Sequence, residues 1–431
     1  MPRSDISTSA EVPKGPSGSI AHCLRSSRRT CYLQPMSDYP KNSDDLADAA
    51  AAVLEKLVSF DTTSRNSNLE LIDYVENRLS EIGAQTCRVP SPDERKANLY
   101  ATFGPALDGG VILSGHTDVV PVDGQDWTSD PFRLSKREGR LHGRGTSDMK
   151  SFLALMIAAA PLFAACEGLK RPVTLVFTYD EEVGCFGAPR VIDEIAHNLP
   201  QPAAVVVGEP TNMKVVRANK GIGVWKVMIT GHPAHSSRTD CGVSANMVAV
   251  DLMSRLADIA ADLKDGANAA NGYEPAEATL TIGRIDGGTA ANILAGRCEF
   301  LFDLRCLPGM DPDEILAPFV EQLQRADSQL KARFPKAGAG LERITDTPAL
   351  SGRGNSEAEE LVRRLAGDSG PASVASFAAE AGQFEEAGFP AVLCGPGAIE
   401  QAHQADEFIE KGQIERGANF MLRLAEYLSK P

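Results

Sequence analysis

Apolar residues follow two alternating spacings along the first half of the chain, as they do where helices and buried strands succeed one another. From Asp44 the text "DDLADAAAAVLEKLVSF" has apolar residues at helical intervals, and 68–83 repeats the pattern. Runs that are apolar throughout are typical of strands in a sheet that helices cover on both faces. The pattern therefore predicts an α/β domain. The candidate strands of this kind lie at 109–116, 172–179 and 203–210.

The pattern changes near residue 215. The stretch "GVWKVMITG" (223–231) alternates as a half-exposed strand does, and the order of elements after it is helix, strand, strand, helix. This order predicts an antiparallel sheet with helices on one face, inserted into the first domain. The pattern of the α/β domain returns near Leu350, and the chain ends in a predicted helix at 411–429. The predicted domains are a disordered or non-native tail (1–43), a catalytic domain with a mixed sheet (44–214 and 346–431) and an inserted α+β lid or dimerisation domain (215–345).

Size and composition narrow the function classes. The 431 residues suffice for two domains, and the net charge of −15 argues against nucleic acid and anionic membranes, which bind basic surfaces. The nine cysteines are scattered and form no C-x-x-C pair, which argues against a disulfide framework or a zinc knuckle and favours a cytoplasmic protein. No segment reaches the roughly 18 consecutive apolar residues of a membrane-spanning helix.

Polar residues suited to chemistry follow the predicted strands of the α/β domain. In open α/β sheets, ligand sites form beyond the carboxyl ends of the strands, so residues that are distant in sequence converge there. The Gly-rich loop "GRGTSD" and the C-terminal stretch "QAHQADEF" supply further candidates. The candidates are His116, Asp118, Asp148, Glu181, Glu182, Glu209 and His403.

This set has the composition of a two-metal site. Two histidines and three carboxylates, one of them shared, can hold two divalent cations about 3.5–4 Å apart and leave each a position for water. Adjacent acids fit such a site, because successive residues point in different directions. One of Glu181 and Glu182 would then bind metal, and the other would act as general base on the attacking water.

The stretches "SGHTDVVP", "GRGTSDMKS", "YDEEVGCFGA", "GEPT" and "QAHQADEF" resemble, in order, the motifs of the dinuclear metallo-amidohydrolase and peptidase family. That family includes acetylornithine deacetylases, succinyl-diaminopimelate desuccinylases, aminoacylases and glutamate carboxypeptidases. The resemblance implies Zn²⁺ or Co²⁺ as the metal and a cis peptide after Asp148. It also implies these roles: His116 and Glu209 bind one metal, Glu182 and His403 the other, Asp148 bridges, Glu181 is the general acid/base, and Asp118 orients the His116 imidazole.

The inserted segment resembles the family's lid and dimerisation domain. The stretch "GHPAHSSR" implies that His235, rather than His232, reaches the active site of a second subunit and supports the oxyanion. The stretches "GGTAANILAG" and "FDLR" imply that Asn292 and Arg305 bind polar groups of the substrate, and an arginine suits a carboxylate. The resemblance therefore implies a homodimer that forms through the lid.

Two stretches, "HGRGTSDMKS" and "CGPGAIEQAHQADEFI", resemble acetylornithine deacetylases most. They imply hydrolysis of N2-acetyl-L-ornithine in arginine biosynthesis. Another N-acyl amino acid, succinyl-diaminopimelate or a dipeptide remains an alternative substrate, because no acceptor for the ornithine ammonium group is evident. A catalytically silent binding protein would have lost a ligand, and none is missing. The chain also lacks a G-x-x-x-x-G-K-[ST] phosphate loop and a G-x-S-x-G nucleophile elbow.

Overall fold

The computed structural model describes residues 40, 42–165, 168–266 and 271–430. Most of the predicted N-terminal tail therefore lies outside the described residues. The first helix begins after Asn42, whose side-chain oxygen accepts hydrogen bonds from the amides of Asp44 and Asp45, both at 2.9 Å. The α-helices are α1 (Ser43–Val58), α2 (Leu69–Glu81), α3 (Lys150–Ala165), α4 (Ala188–Asn198), α5 (Ala245–Asp265), α6 (Pro312–Arg333), α7 (Ser356–Ala366), α8 (Ala381–Glu386) and α9 (Lys411–Ser429).

Within the described residues the strands form three sheets. An eight-stranded mixed sheet has the order β1-β2-β6-β3-β7-β14-β8-β13, a four-stranded antiparallel sheet the order β10-β11-β9-β12, and a three-stranded sheet the order β15-β5-β4. The strands are β1 (Gln85–Pro90), β2 (Ala97–Phe103), β3 (Gly110–His116), β4 (Ser135–Arg137), β5 (Arg140–His142), β6 (Val173–Thr178), β7 (Pro202–Pro210), β8 (Val216–Asn219), β9 (Gly221–Thr230), β10 (Thr279–Gly287), β11 (Arg297–Cys306), β12 (Gly338–Thr347), β13 (Ser373–Ala375), β14 (Ala391–Gly395) and β15 (Phe408–Glu410).

Helices cover both faces of the eight-stranded sheet, as the uninterrupted apolar runs predict. On one face α1, α2, α3, α7 and α9 pack against side chains such as Leu113 and Leu175. On the other face α4 and α8 pack against the alternate residues, among them Ile112 and Val176. Helix α3 is buried on nearly all sides, because it lies in contact with α1, α9 and strand β3. The predicted mixed sheet between two helical layers is confirmed.

The four-stranded sheet forms a separate layer with its own core. Alternate residues of β9 and β11, such as Val227 and Phe302, face α5 and α6 and are buried with Leu256 and Phe319. This confirms the predicted antiparallel sheet with helices on one face. Strand β8 still belongs to the large sheet, so the separate sheet begins at Gly221.

The chain enters and leaves the separate layer at adjacent points. The Asn219 amide donates to the Leu350 carbonyl at 3.1 Å, and the Leu350 amide donates to the Asn219 side chain at 2.8 Å. Two short segments, 219–221 and 347–350, therefore connect the four-stranded sheet to the rest of the molecule. None of the helices within the described residues has the length and hydropathy needed to span a membrane.

Candidate metal centre and active site

Three parallel strands bring their carboxyl ends to one edge of the large sheet. Strands β6, β3 and β7 are neighbours and run parallel, so His116 at the end of β3 lies beside the turn after β6 and beside Glu209 near the end of β7. The loop before α3 adds Asp148, whose peptide bond to Met149 is cis, as the resemblance implies.

Asp148 lies between the two histidines. Its Oδ1 is 3.1 Å from His116 Nε2, and its Oδ2 is 3.3 Å from His403 Nε2. His116 is buried, whereas 52% of the His403 side chain is exposed. One carboxylate oxygen therefore faces each histidine, which is the arrangement expected of a carboxylate that bridges two cations.

Glu182 completes the half of the site that contains His403. Its Oε2 lies 3.0 Å from His403 Nε2. Ligand atoms of His116, Asp148 and Glu182 all lie within 4.8 Å of one another. Three segments of the chain therefore place possible metal ligands close together. The structure thus brings together four of the five residues that the resemblance assigns to metal.

Glu209, the fifth, is buried next to this group. Burial, with the negative charges of Asp148 and Glu181, raises its carboxyl pKa well above the ordinary range. Its Oε1 is buried and has no hydrogen-bond partner within the described part of the chain. A buried carboxylate oxygen without a partner is costly unless a cation binds it.

The electrostatics of the cluster also fit metal binding. Burial and the charge of Asp148 raise the pKa of Glu182 to about 7. Burial opposes protonation of His116, yet its hydrogen bond to Asp148 and the nearby carboxylates raise its pKa well above the usual value. Hydrogen bonds to Asp148 and Glu182 raise the pKa of His403 to about 10. Without a cation, burial and repulsion from Asp148 disfavour the charged forms of Glu182 and Glu209, and divalent cations would offset this repulsion. The residues present therefore fit two such cations.

The turn that carries Glu181 and Glu182 is held by Asp118, two residues after the end of β3. The Asp118 carboxylate accepts the Glu181 amide at 3.1 Å and the Glu182 amide at 3.2 Å, and it also accepts the Ser64 hydroxyl at 2.7 Å. His116 Nδ1 contacts the backbone carbonyl of Asp118 at 2.9 Å, whereas the Asp118 carboxylate lies 3.7 Å away. Asp118 thus contacts the imidazole mainly through its backbone, and its carboxylate fixes the two glutamates.

Glu181 faces the same cluster from the turn. Burial, with the charges of Glu182 and Asp148, raises its carboxyl pKa well above the ordinary range, although His116 opposes the shift. The Cys185 thiol donates to Glu181 Oε1 at 3.4 Å. A carboxyl group with a raised pKa accepts a proton more readily than an ordinary carboxylate, which is a property that a general base requires.

The four-stranded sheet contacts the far corner of this turn. Thr345 and Thr347, at the end of β12, donate their hydroxyls to the Gly184 carbonyl at 2.9 and 3.1 Å. Gly184 has φ +129, and Gln383 of α8 donates to the next carbonyl, that of Cys185, at 3.2 Å. The turn that bears the candidate base is therefore fixed by elements of both layers.

The remaining predicted residues, His235, Asn292 and Arg305, lie on the inserted layer. His235 is exposed and contacts the Ser237 hydroxyl at 2.8 Å, and it pairs by a backbone bridge with Ile293, next to Asn292. Arg305 lies on β11 and donates to Asp303 at 3.4 Å. Over the ranges that the structure describes, no hydrogen bond or ion pair joins these three residues to the carboxylate cluster.

Sequence reasoning missed several buried charged residues around the site. Glu407 lies inside the stretch "QAHQADEF", but its position in that stretch does not distinguish it from an acidic residue on the surface. Arg144, Lys150 and Glu380 are also almost fully buried. Burial raises the pKa of Glu380 to about 7. Their burial beside the site becomes visible only through their contacts in the fold, and the neighbouring sequence does not indicate those contacts.

A group of histidines and carboxylates at the strand ends of a mixed sheet, with a separate α+β layer joined to that sheet, defines a metal-dependent hydrolase. The sequence profile of peptidase family M20/M25/M40 matches residues 112–427. The acetylornithine deacetylase of Myxococcus xanthus is 37% identical over 379 residues, which are 86% of this chain and 95% of that protein. The acetylornithine deacetylase of Proteus mirabilis is 34% identical over 85% of this chain and 92% of that protein. The chain belongs to peptidase family M20/M25/M40.

A solved structure shows the same fold. Aminopeptidase PepT from Bacillus cereus superposes with a TM-score of 0.66, over 89% of this chain and 99% of that chain, at 19% sequence identity. At this identity the likeness concerns the architecture alone.

Proposed function

We propose that this chain is an acetylornithine deacetylase, which hydrolyses N2-acetyl-L-ornithine to L-ornithine and acetate in arginine biosynthesis. The two deacetylases that match most of the chain support the choice of substrate. The placement of Asp148, with one oxygen toward each histidine, carries the proposal for the chemistry. The reaction would take place in the cytoplasm.

In this proposal the cluster holds two divalent cations, Zn²⁺ or Co²⁺. His116 and Glu209 would hold one, Glu182 and His403 the other, and Asp148 would give one oxygen to each. Cations bound there would polarise the amide carbonyl of the substrate and lower the pKa of the attacking water.

Glu181 carries the proton steps. It accepts a proton from the attacking water and later returns that proton to the leaving amine nitrogen. The amides held by Asp118 and the thiol of Cys185 fix the backbone and the carboxylate of Glu181. Fixing the base in advance reduces the conformational freedom that would be lost in the transition state.

The inserted layer would serve as lid and dimer contact. Arg305 would form a bidentate pair with the substrate carboxylate, and Asn292 would bind a further polar group of the substrate. The exposure of His235 supports a role in the active site of a second subunit, where it would stabilise the oxyanion. The apolar side chains of Met247 and Val250 on α5 are exposed, which supports a homodimer through this layer.

The deciding experiment is hydrolysis of N2-acetyl-L-ornithine beside N-acetyl-methionine and succinyl-diaminopimelate. The enzyme is stripped of metal and then reloaded with Zn²⁺ or Co²⁺. Turnover that depends on metal and is fastest with acetylornithine is the expected result. Faster metal-dependent turnover of another substrate would reject the pathway and keep the site, whereas turnover unaffected by stripping would reject the site.

A further inference from the structure

A buried ion pair next to the metal cluster has no part in the mechanism above. Arg144 Nη1 and Glu407 Oε2 lie 2.8 Å apart, and each side chain is 1% exposed. Two opposite charges removed from water are tolerated only where further hydrogen bonds satisfy them. The partners of each member therefore show what the pair does in the fold.

Glu407 holds the loop that precedes Asp148. Its carboxylate accepts the amides of Gly145 at 2.9 Å, Ser147 at 2.7 Å and Asp148 at 3.1 Å. Three hydrogen bonds within four residues of one loop fix its backbone up to Asp148, which lies between the two histidines. The position of the Asp148 carboxylate thus depends on Glu407.

Arg144 holds the segment around His403. Its Nη1 donates to the Gln404 carbonyl at 3.2 Å, and its Nη2 donates to the side-chain oxygen of Gln125. The side-chain Nε2 of Gln125 in turn donates to the His403 carbonyl at 2.8 Å. The guanidinium also lies 5.0 Å from the centre of the Trp127 ring, which covers it.

We propose that the Arg144–Glu407 pair is a positioning unit for the metal centre. It sets the separation of Asp148 and His403, which come from distant parts of the chain and lie 3.3 Å apart at their side chains. It thereby sets the affinity for the cation that these two residues share with Glu182. This inference rests on the ligand set of the proposed function.

The test is calorimetric titration of metal-free enzyme with Zn²⁺. In Glu407→Gln the new side-chain NH₂ group would face the backbone N–H groups that the carboxylate accepts. The Zn²⁺ affinity of one of the two sites is therefore expected to fall about 10- to 100-fold, as it does when a residue that supports a metal ligand is replaced. Glu385→Gln is the matched control. Glu385 accepts hydrogen bonds from the amides of Ser351 at 2.7 Å and Gly352 at 3.1 Å and from the Asn355 side chain at 2.7 Å. Within the described residues, no hydrogen bond or ion pair joins it to a candidate metal ligand. It should lower the melting temperature and leave both Zn²⁺ affinities unchanged.

Gln125→Leu is a milder second variant, which keeps both charges and removes the link from Arg144 to the His403 carbonyl, together with the hydrogen bond that Gln125 accepts from the Trp127 indole at 3.0 Å. A smaller loss of affinity at the same site is expected, together with an altered visible spectrum of the Co²⁺ form. Wild-type affinities in both variants, with only a lower melting temperature, would reduce the pair to a structural role and overturn the inference. A wild-type chain that binds fewer than two cations would overturn the ligand set and this inference together.

Discussion

Replacing Gly184 with alanine should disturb the candidate base from a distance. A Cβ on Gly184 would lie 2.4 Å from Thr345 Oγ1 and 2.7 Å from Thr345 Cβ, and φ at this position is +129. The strained backbone and the loss of the two threonine hydrogen bonds should together lower the free energy of unfolding by about 2–4 kcal/mol. Because Glu181 is on the same turn, its carboxylate should shift by a fraction of an ångström or more.

Such a shift should lower kcat by about 100-fold, since proton transfer depends steeply on geometry. The measurements are kcat on N2-acetyl-L-ornithine with saturating metal, and thermal unfolding of the same samples. Gly139→Ala is the control, because Gly139 also has a positive φ, +74, but its added Cβ meets no atom within 4 Å. It should lose stability and keep kcat. If Gly184→Ala turns over at the wild-type rate, the contact between Thr345 and the turn does not position the base.

Three further predictions follow from the same geometry. Glu181→Ala should keep both cations and lose about 10²- to 10⁴-fold in kcat, whereas near-normal turnover would reject its role. Arg305→Lys should raise KM far more than it changes kcat, because lysine cannot bind a carboxylate in a bidentate way; an unchanged KM would contradict this. Lys150 donates to the Leu57 and Phe60 carbonyls, and burial lowers its pKa from 10.5 to about 7. Between these values only the unfolded chain binds the proton, so the free energy of unfolding should rise with pH by up to about 1.4 kcal/mol per unit, and denaturant titrations of Lys150→Met should lack this rise.

The elements that have strong apolar periodicity could be predicted from the sequence. The final helix was expected at 411–429 and spans Lys411–Ser429. The end of helix α6 at Arg333 could not be predicted in this way, because the helix buries no apolar residue between Leu323 and Leu330 and the periodic pattern is interrupted there. The ligand residues could be proposed because each follows an apolar strand or lies in a Gly-rich loop.

The features that depend on polar tertiary contacts could not be predicted. Strand β1 has the mixed text "QTCRVP" and lies at the sheet edge, where Arg88 pairs with Asp73 and Glu76 of α2. The two roles of Asp118, one through its backbone and one through its carboxylate, are likewise invisible in the stretch "SGHTDVV". Charged side chains become informative only when a fold places their partners next to them.

The four-stranded layer is joined to the large sheet through two adjacent, hydrogen-bonded segments, at Asn219 and Leu350. A segment that begins and ends at nearly one point is a module, since it can be shortened, enlarged or exchanged without a break in the parent sheet. Its removal, however, would take away Thr345 and Thr347 and leave the Gly184 carbonyl without their hydroxyls. Exchange of this segment for a different one would therefore leave the candidate metal ligands in place more readily than it would preserve the position of the candidate base, Glu181.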